Sequence, residues 1–325
     1  MTNPPQRERR RLLAGVAAFG AVSLTGCATQ TAELLDTRAV AAGLPRRVEL
    51  AQVPFFPQDQ RFLCGPESLA AVLQAAGVAA TPPQLVPQVY LPGREGSLQA
   101  EMLAATRRQG GVAVMLPPQL EALCRELAAG TPVVILQNLG LAVSPVWHYA
   151  VAVGYDLDER TVLLRSGRER RMVMSLRTFE HTWARSAYWA FVAVAPGLVP
   201  VTAGEAEMTR ALVAFERVAA PELASRAYTA AVQRWPANVT LLMGQGNTLY
   251  AAGRKREAAE VFEATARHHE HGAAWVNLGL VQLELGHLSQ AEAAARRAVE
   301  LGGNWSAQAN KLLRKVEAAQ QQTKP

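Results

Sequence analysis

Between residues 48 and 197 the apolar positions keep switching between helical spacing and short alternating or unbroken runs. Leu50 to Pro54 reads as extended, Pro66 to Gly77 and Ser97 to Gln109 as helices, and Val112 to Leu116 as a short strand. Gln119 to Ala129 follows as a helix and Pro132 to Gln137 as a buried strand. Three β-type runs come next: Trp147 to Tyr155, Thr161 to Arg165 and Arg171 to Met174. Asp156-Leu157-Asp158-Glu159 joins the first two as a hairpin-type turn, where both aspartates are expected to be solvated. Leu176 to Ala184 is helical and Tyr188 to Val194 is a closing strand. Helices first and an antiparallel sheet afterwards predict an α+β domain over 48–197.

From Glu205 onward strand signals disappear, alanine dominates and a period near 33–34 residues emerges. In the unit starting at Gly272, Trp275, Leu278, Gly279, Gly286, Ala291, Ala295 and Ala298 stand at positions four, seven, eight, fifteen, twenty, twenty-four and twenty-seven. The unit from Val239 places Gly246, Leu249, Gly253, Ala258 and Phe262 on the same scheme, and the one from Glu205 places Phe215, Ala224, Tyr228, Ala231 and Pro236 there. These spacings resemble tetratricopeptide repeats, in which small residues let paired helices approach closely. The resemblance implies an all-α solenoid over 205–322, with repeats at about 205–238, 239–271 and 272–305, then a polar capping helix. It further implies a surface that takes a protein partner.

Half of the 325 residues are hydrophobic and 18% are charged, ordinary proportions for globular material. The formal charge of +6 is concentrated at the start: Arg7, Arg9, Arg10 and Arg11 against Glu8 leave only +3 for everything after residue 26. No basic tract with interleaved aromatics follows, so nucleic acid is not an expected partner. Residues 1–27 have a secretory layout, a basic stretch and then an apolar run from Leu12 to Leu24 that is too short to span a bilayer. The run ends in Leu24-Thr25-Gly26-Cys27, which resembles the bacterial lipobox. This implies acylation of Cys27, attachment to the membrane through that lipid, and, with Ala28 rather than Asp next, the periplasmic face of the outer membrane. Residues 28–47 then read as a tether to the first domain.

Two further cysteines remain. Cys124 falls on the apolar face of a helical pattern and reads as a buried thiol, although an exported chain permits a disulfide between Cys64 and Cys124. Cys64 directly precedes a helix with Pro66 in its first turn. A thiol there meets the positive end of the helix dipole, which is expected to lower its pKa and favour the nucleophilic thiolate. Among six histidines, His148 alone opens an apolar strand, and no pair has convincing metal spacing, so neither metal nor cofactor is expected.

Gln58, Cys64-Gly65-Pro66, His148-Tyr149, Gly154-Tyr155-Asp156, Phe179 and Trp183 follow one another in the order of a known pattern. Together they resemble the bacteriocin-processing (double-glycine leader) type of papain-like cysteine peptidase. The resemblance implies that Cys64 is the nucleophile, that His148 takes its proton, and that Gln58 helps the Cys64 backbone N–H hold the oxyanion. Gln60 has the wrong spacing for that part. One departure stands out. The family carries Asp after the next strand, whereas Thr161-Val162-Leu163-Leu164-Arg165-Ser166-Gly167 offers Ser166. A serine can fix the imidazole tautomer but cannot stabilise imidazolium as a carboxylate does.

Two functions are therefore expected from one cleft. The first is a cell-envelope thiol peptidase acting on a peptide or protein that its repeats recruit. The second is a non-catalytic peptide-binding adaptor with a degenerate site. Transfer or amide hydrolysis on cell-wall peptides would use the same residues.

Overall fold

The computed structural model describes residues 42–58 and 62–322, together with four helical positions before them, Ala32, Leu35, Thr37 and Ala39. Cys27 and Gln60 lie outside the described residues.

The first unit is built on a seven-stranded antiparallel sheet. Its strands are β1 (Arg47–Glu49), β4 (Val112–Met115), β5 (Val133–Asn138), β6 (Trp147–Asp156), β7 (Thr161–Ser166), β8 (Glu169–Ser175) and β9 (Ala190–Val194). The spatial order is β4-β9-β5-β6-β7-β8, and β1 adds to the far end of β6. The strands β5, β6 and β9 are buried almost throughout, which explains their unbroken apolar runs. Gly154 is needed where β1 crosses, because a Cβ there would overlap the Val48 carbonyl.

Helices α1 (Cys64–Ala75), α2 (Pro82–Val89), α3 (Gln99–Arg108), α4 (Leu120–Ala128) and α5 (Leu176–Ala184) cover the sheet. A small hairpin of β2 (Tyr90–Leu91) and β3 (Gly96–Ser97) follows α2. Neither α2 nor this hairpin is expected from the sequence. Pro82, Pro83 and Pro87 mask the helix, yet the first two occupy its start, where an absent N–H is harmless. Gln84 Oε1 accepts the Thr81 N–H at 3.0 Å, closing the helix N-terminus.

Three other expectations need correction. Leu50 to Val53 is a turn and the strand lies just before it. The buried Arg165 guanidinium shapes that turn by donating through Nη2 to the carbonyls of Leu50, Ala51 and Val53. Asp156 is not solvated: it accepts the N–H groups of Asp158 and Glu159 and pairs with Arg47 at 2.6 Å. The stretch expected as a tether is partly docked, since Leu35 and Ala39, four residues apart on one helical face, are buried in the core. Glu180 Oε2, beneath them, accepts the Ala32 N–H at 3.1 Å.

The second unit stacks helix pairs α6 (Glu205–Glu216) with α7 (Pro221–Arg234), α8 (Val239–Ala251) with α9 (Lys255–His269), and α10 (Gly272–Glu284) with α11 (Leu288–Leu301). It is closed by α12 (Ser306–Gln322). The junction is not a free linker. The first repeat packs α6 against β4, and Phe215, Tyr228 and Leu241 belong to the same apolar core as the sheet. Buried Glu126 accepts from Thr202 N at 2.7 Å and Thr202 Oγ1 at 2.6 Å, and Arg234 donates to the Pro200 carbonyl. No described helix is long and apolar enough to cross a membrane.

The small repeat positions are steric requirements. A Cβ on Gly246 would overlap the ring of Phe262, which is fully buried and has no room to retreat. Alanine gains up to about 1 kcal/mol in helix propensity over glycine, whereas overpacking a core costs about 1–3 kcal/mol. The overlap should win. Gly246→Ala is expected to lower the unfolding free energy in a denaturant titration, and an unchanged or raised midpoint would contradict this packing.

Candidate active site

Three local features bring the chemistry together. The chain enters α1 through Phe62, whose φ of 69° is a left-handed conformation that costs a bulky residue about 1–3 kcal/mol. This turn sets Cys64 at the first helical residue, half-buried, with the first-turn amides pointing outward. Gly65 follows because the β3 hairpin presses on the helix there: a Cβ would come within 2.6 Å of the Ser97 Cβ.

The second feature is the β6–β7 ladder. Val151 pairs with Arg165, so continuing the register sets Ser166 opposite Ala150, on the same face as His148. His148 Nε2 and Ser166 Oγ are 2.8 Å apart. Nε2 is thereby engaged, which leaves Nδ1 as the nitrogen available to a thiol. The third feature is Gln58, whose backbone N–H donates to the Gly167 carbonyl at 3.0 Å, tying it to the turn just after Ser166.

Gln58, Cys64 and His148 all line one cleft of about 1000 Å³. Ser166 stands behind His148, beside a small cavity that also touches Cys64 and Arg165. Phe62, Leu98, Leu139, Val146 and Trp147 give the cleft an exposed apolar wall, beside the charged side chains of Arg94, Glu95 and Arg185. Leu139 to Val146 forms the β5–β6 loop, closed by Asn138 Oδ1, which accepts from Gly140 N and Val146 N at 2.9 Å each.

The electrostatics differ from the helix-dipole expectation. Burial pushes the Cys64 thiol pKa up, and the nearby Glu67 adds to this. The backbone N–H groups of Tyr149, Gly65 and Cys64 favour thiolate but do not overcome the desolvation. Burial also lowers the pKa of His148. Both shifts favour a neutral thiol and a neutral imidazole over an ion pair. Cys124 is fully buried and pushed up to about 12, and neither it nor Cys64 forms a disulfide. Among the described residues, no three histidine, cysteine or acidic side chains converge as a metal site.

Sequence reasoning singled out Gln58, Cys64, His148 and Ser166; the structure puts the first three on one cleft and Ser166 behind His148. It missed the Ser97 hairpin that forms one wall, whose strands of two residues carry too little pattern to read.

Residues 50–190 match the model of the Peptidase_C39 like family, and residues 211–266 and 243–309 match that of the tetratricopeptide repeat. The first unit is a Peptidase_C39-like domain, and the second is a tetratricopeptide-repeat array. Among solved structures, a candidate C39-like peptidase from Bacillus anthracis is 21% identical, covering 46% of this chain and 98% of its own, with a TM-score of 0.38. The Sgt2 TPR domain from Aspergillus fumigatus is 23% identical, covering 37% and 84%, with a TM-score of 0.33. The Yersinia enterocolitica type III secretion translocator chaperone SycD is 16% identical, covering 36% and 85%, with a TM-score of 0.34. No curated protein matches the chain.

A neutral pair in the C39-like cleft has a measurable signature. Cys64 is expected to be alkylated by iodoacetamide at a rate that keeps rising with pH past about 9, beyond the ordinary thiol range. Mass spectrometry at Cys64 reads this directly, and a plateau between pH 5 and 7 would reveal a preformed thiolate–imidazolium pair instead.

Proposed function

We propose that the protein is a lipid-anchored thiol peptidase of the cell envelope that cleaves a peptide or protein brought to it by its repeats. The observation that carries this reading is the hydrogen bond between His148 Nε2 and Ser166 Oγ, at 2.8 Å on the wall of the cleft that holds Cys64 and Gln58. This contact holds the orientation of the imidazole at a cleft that also holds a cysteine, as a general base there requires.

The chemistry follows from the neutral resting pair. A substrate segment entering the cleft excludes water. As Cys64 Sγ attacks the scissile carbonyl, its proton passes to His148 Nδ1. Ser166 holds the ring and its outer N–H through this transfer. The Cys64 N–H and the Gln58 side-chain amide stabilise the developing oxyanion. His148 returns the proton to the leaving amine, which departs and leaves a thioester on Cys64. A water deprotonated by His148 then releases the acid and restores the thiol.

The apolar wall favours substrates with apolar side chains flanking the cut. Cys27, beyond the described residues, carries the lipid in this reading. Incorporation of a labelled fatty acid that disappears in Cys27→Ser tests this, and label that persists in the variant would exclude it.

The adaptor reading keeps support from one feature: Ser166 supplies no charge to an imidazolium. The two readings part in a digest of a diverse peptide library, with new termini identified by mass spectrometry. The peptidase yields cuts that vanish in both Cys64→Ala and His148→Ala, while Gln58→Ala slows them about 100-fold, as loss of one oxyanion donor does. Absence of any Cys64-dependent cut would leave the adaptor.

A further inference from the structure

The concave side of the repeats holds a second site, separate from the peptidase cleft. The first helices of all three pairs, α6, α8 and α10, line a pocket of about 370 Å³. Met243 and Trp305 form apolar wall, but its deeper face is polar. There the hydroxyl of Tyr228 and the carboxylate of Glu216 are buried against each other, and Nδ1 of His271 is buried without a hydrogen-bond partner. Tyr228 is 1% exposed, and its ring reaches this face only because Gly244 has no Cβ to block it. Its hydroxyl lies within hydrogen-bonding reach of the Glu216 carboxylate. Burial first, and that carboxylate second, push the phenol pKa upward.

Packing does not explain the hydroxyl. The same repeat position holds Phe262 in the second unit and Ala295 in the third, so the fold accepts an apolar residue there. Tyr228 supplies here a hydroxyl that fixes the Glu216 carboxylate in the pocket wall. The charge of the site selects that ligand. Glu216 is the acidic group lining the pocket, and no lysine or arginine lines it, so an acidic peptide would meet like charge. Nearer the mouth, Asn277 Nδ2 donates to Asn247 Oδ1 at 3.1 Å. Among the described residues this leaves Asn247 Nδ2 and Asn277 Oδ1 for a peptide carbonyl and a peptide N–H.

We propose that this pocket binds a lysine or arginine side chain of a peptide partner. The aliphatic stem lies against Met243 and Trp305, the cationic head is held by Glu216, which Tyr228 positions, and the partner's backbone is held by Asn247 and Asn277. The inference gives chemistry to the recruiting surface of the proposed function and rests on that reading only for the fate of the bound partner.

The test uses the full chain in detergent as the Cys64→Ala variant, so its outcome is independent of any turnover. The probes are blocked octapeptides of alanine and serine with a central arginine, lysine, norleucine or glutamate, each carrying a neutral fluorophore. In fluorescence anisotropy the arginine and lysine peptides are expected to bind at least about tenfold more tightly than the other two. Glu216→Gln should erase that preference. Asn247→Ala, at an exposed position, should weaken all peptides while keeping the preference, and it serves if Glu216→Gln does not fold. Affinity indifferent to the central charge, binding of the glutamate peptide best, or no binding of any probe at millimolar concentration would each overturn the proposal.

Discussion

The peptidase-like cleft depends on how much charge its burial permits. Cys64 sits where a helix N-terminus would favour a thiolate, and three backbone N–H groups support one. Desolvation opposes this and prevails, and it also acts on His148, whose pKa is lowered. A carboxylate behind the imidazole would tilt the balance toward an ion pair. Ser166 stands there instead, 2.8 Å away, able to orient the ring but not to neutralise it. Both effects favour a neutral resting pair, in which proton transfer accompanies attack.

The architecture gives this cleft a fixed relation to the repeats. Sheet and first repeat share one apolar core, and Glu126 with Thr202 and Arg234 with Pro200 fasten the segment between them. The first repeat is thus part of the wall of the first unit as well as the start of the array. A partner held on the concave face stands at a defined distance from Cys64, rather than on a loose tether.

Much of this was legible in the sequence because it resides in periodicity and order. The repeat spacing predicted Gly246 and Gly279 at close helix contacts, and a Cβ at either would overlap a packed side chain. The strand after the histidine strand predicted Ser166 in the acidic place, and the ladder brings it to His148. What was hidden depends on contacts distant in the chain. Proline content concealed α2, and β2 and β3 are too short to show alternation. The turn at Leu50–Val53 is drawn out of extended form by Arg165, more than a hundred residues away. The upward push on the Cys64 thiol was hidden for the same reason: a helix start is visible in sequence, but the burial that opposes it is not.

The most direct test of the account is the titration of the His148 imidazole, followed by NMR with labelled histidine, in the intact chain and in Ser166→Asp. The account predicts that His148 titrates below the ordinary histidine value of about 6.5 in the natural chain and moves above it once a carboxylate stands behind the ring. An imidazole that already titrates above that value with Ser166 in place, or that Ser166→Asp leaves unmoved, would contradict it.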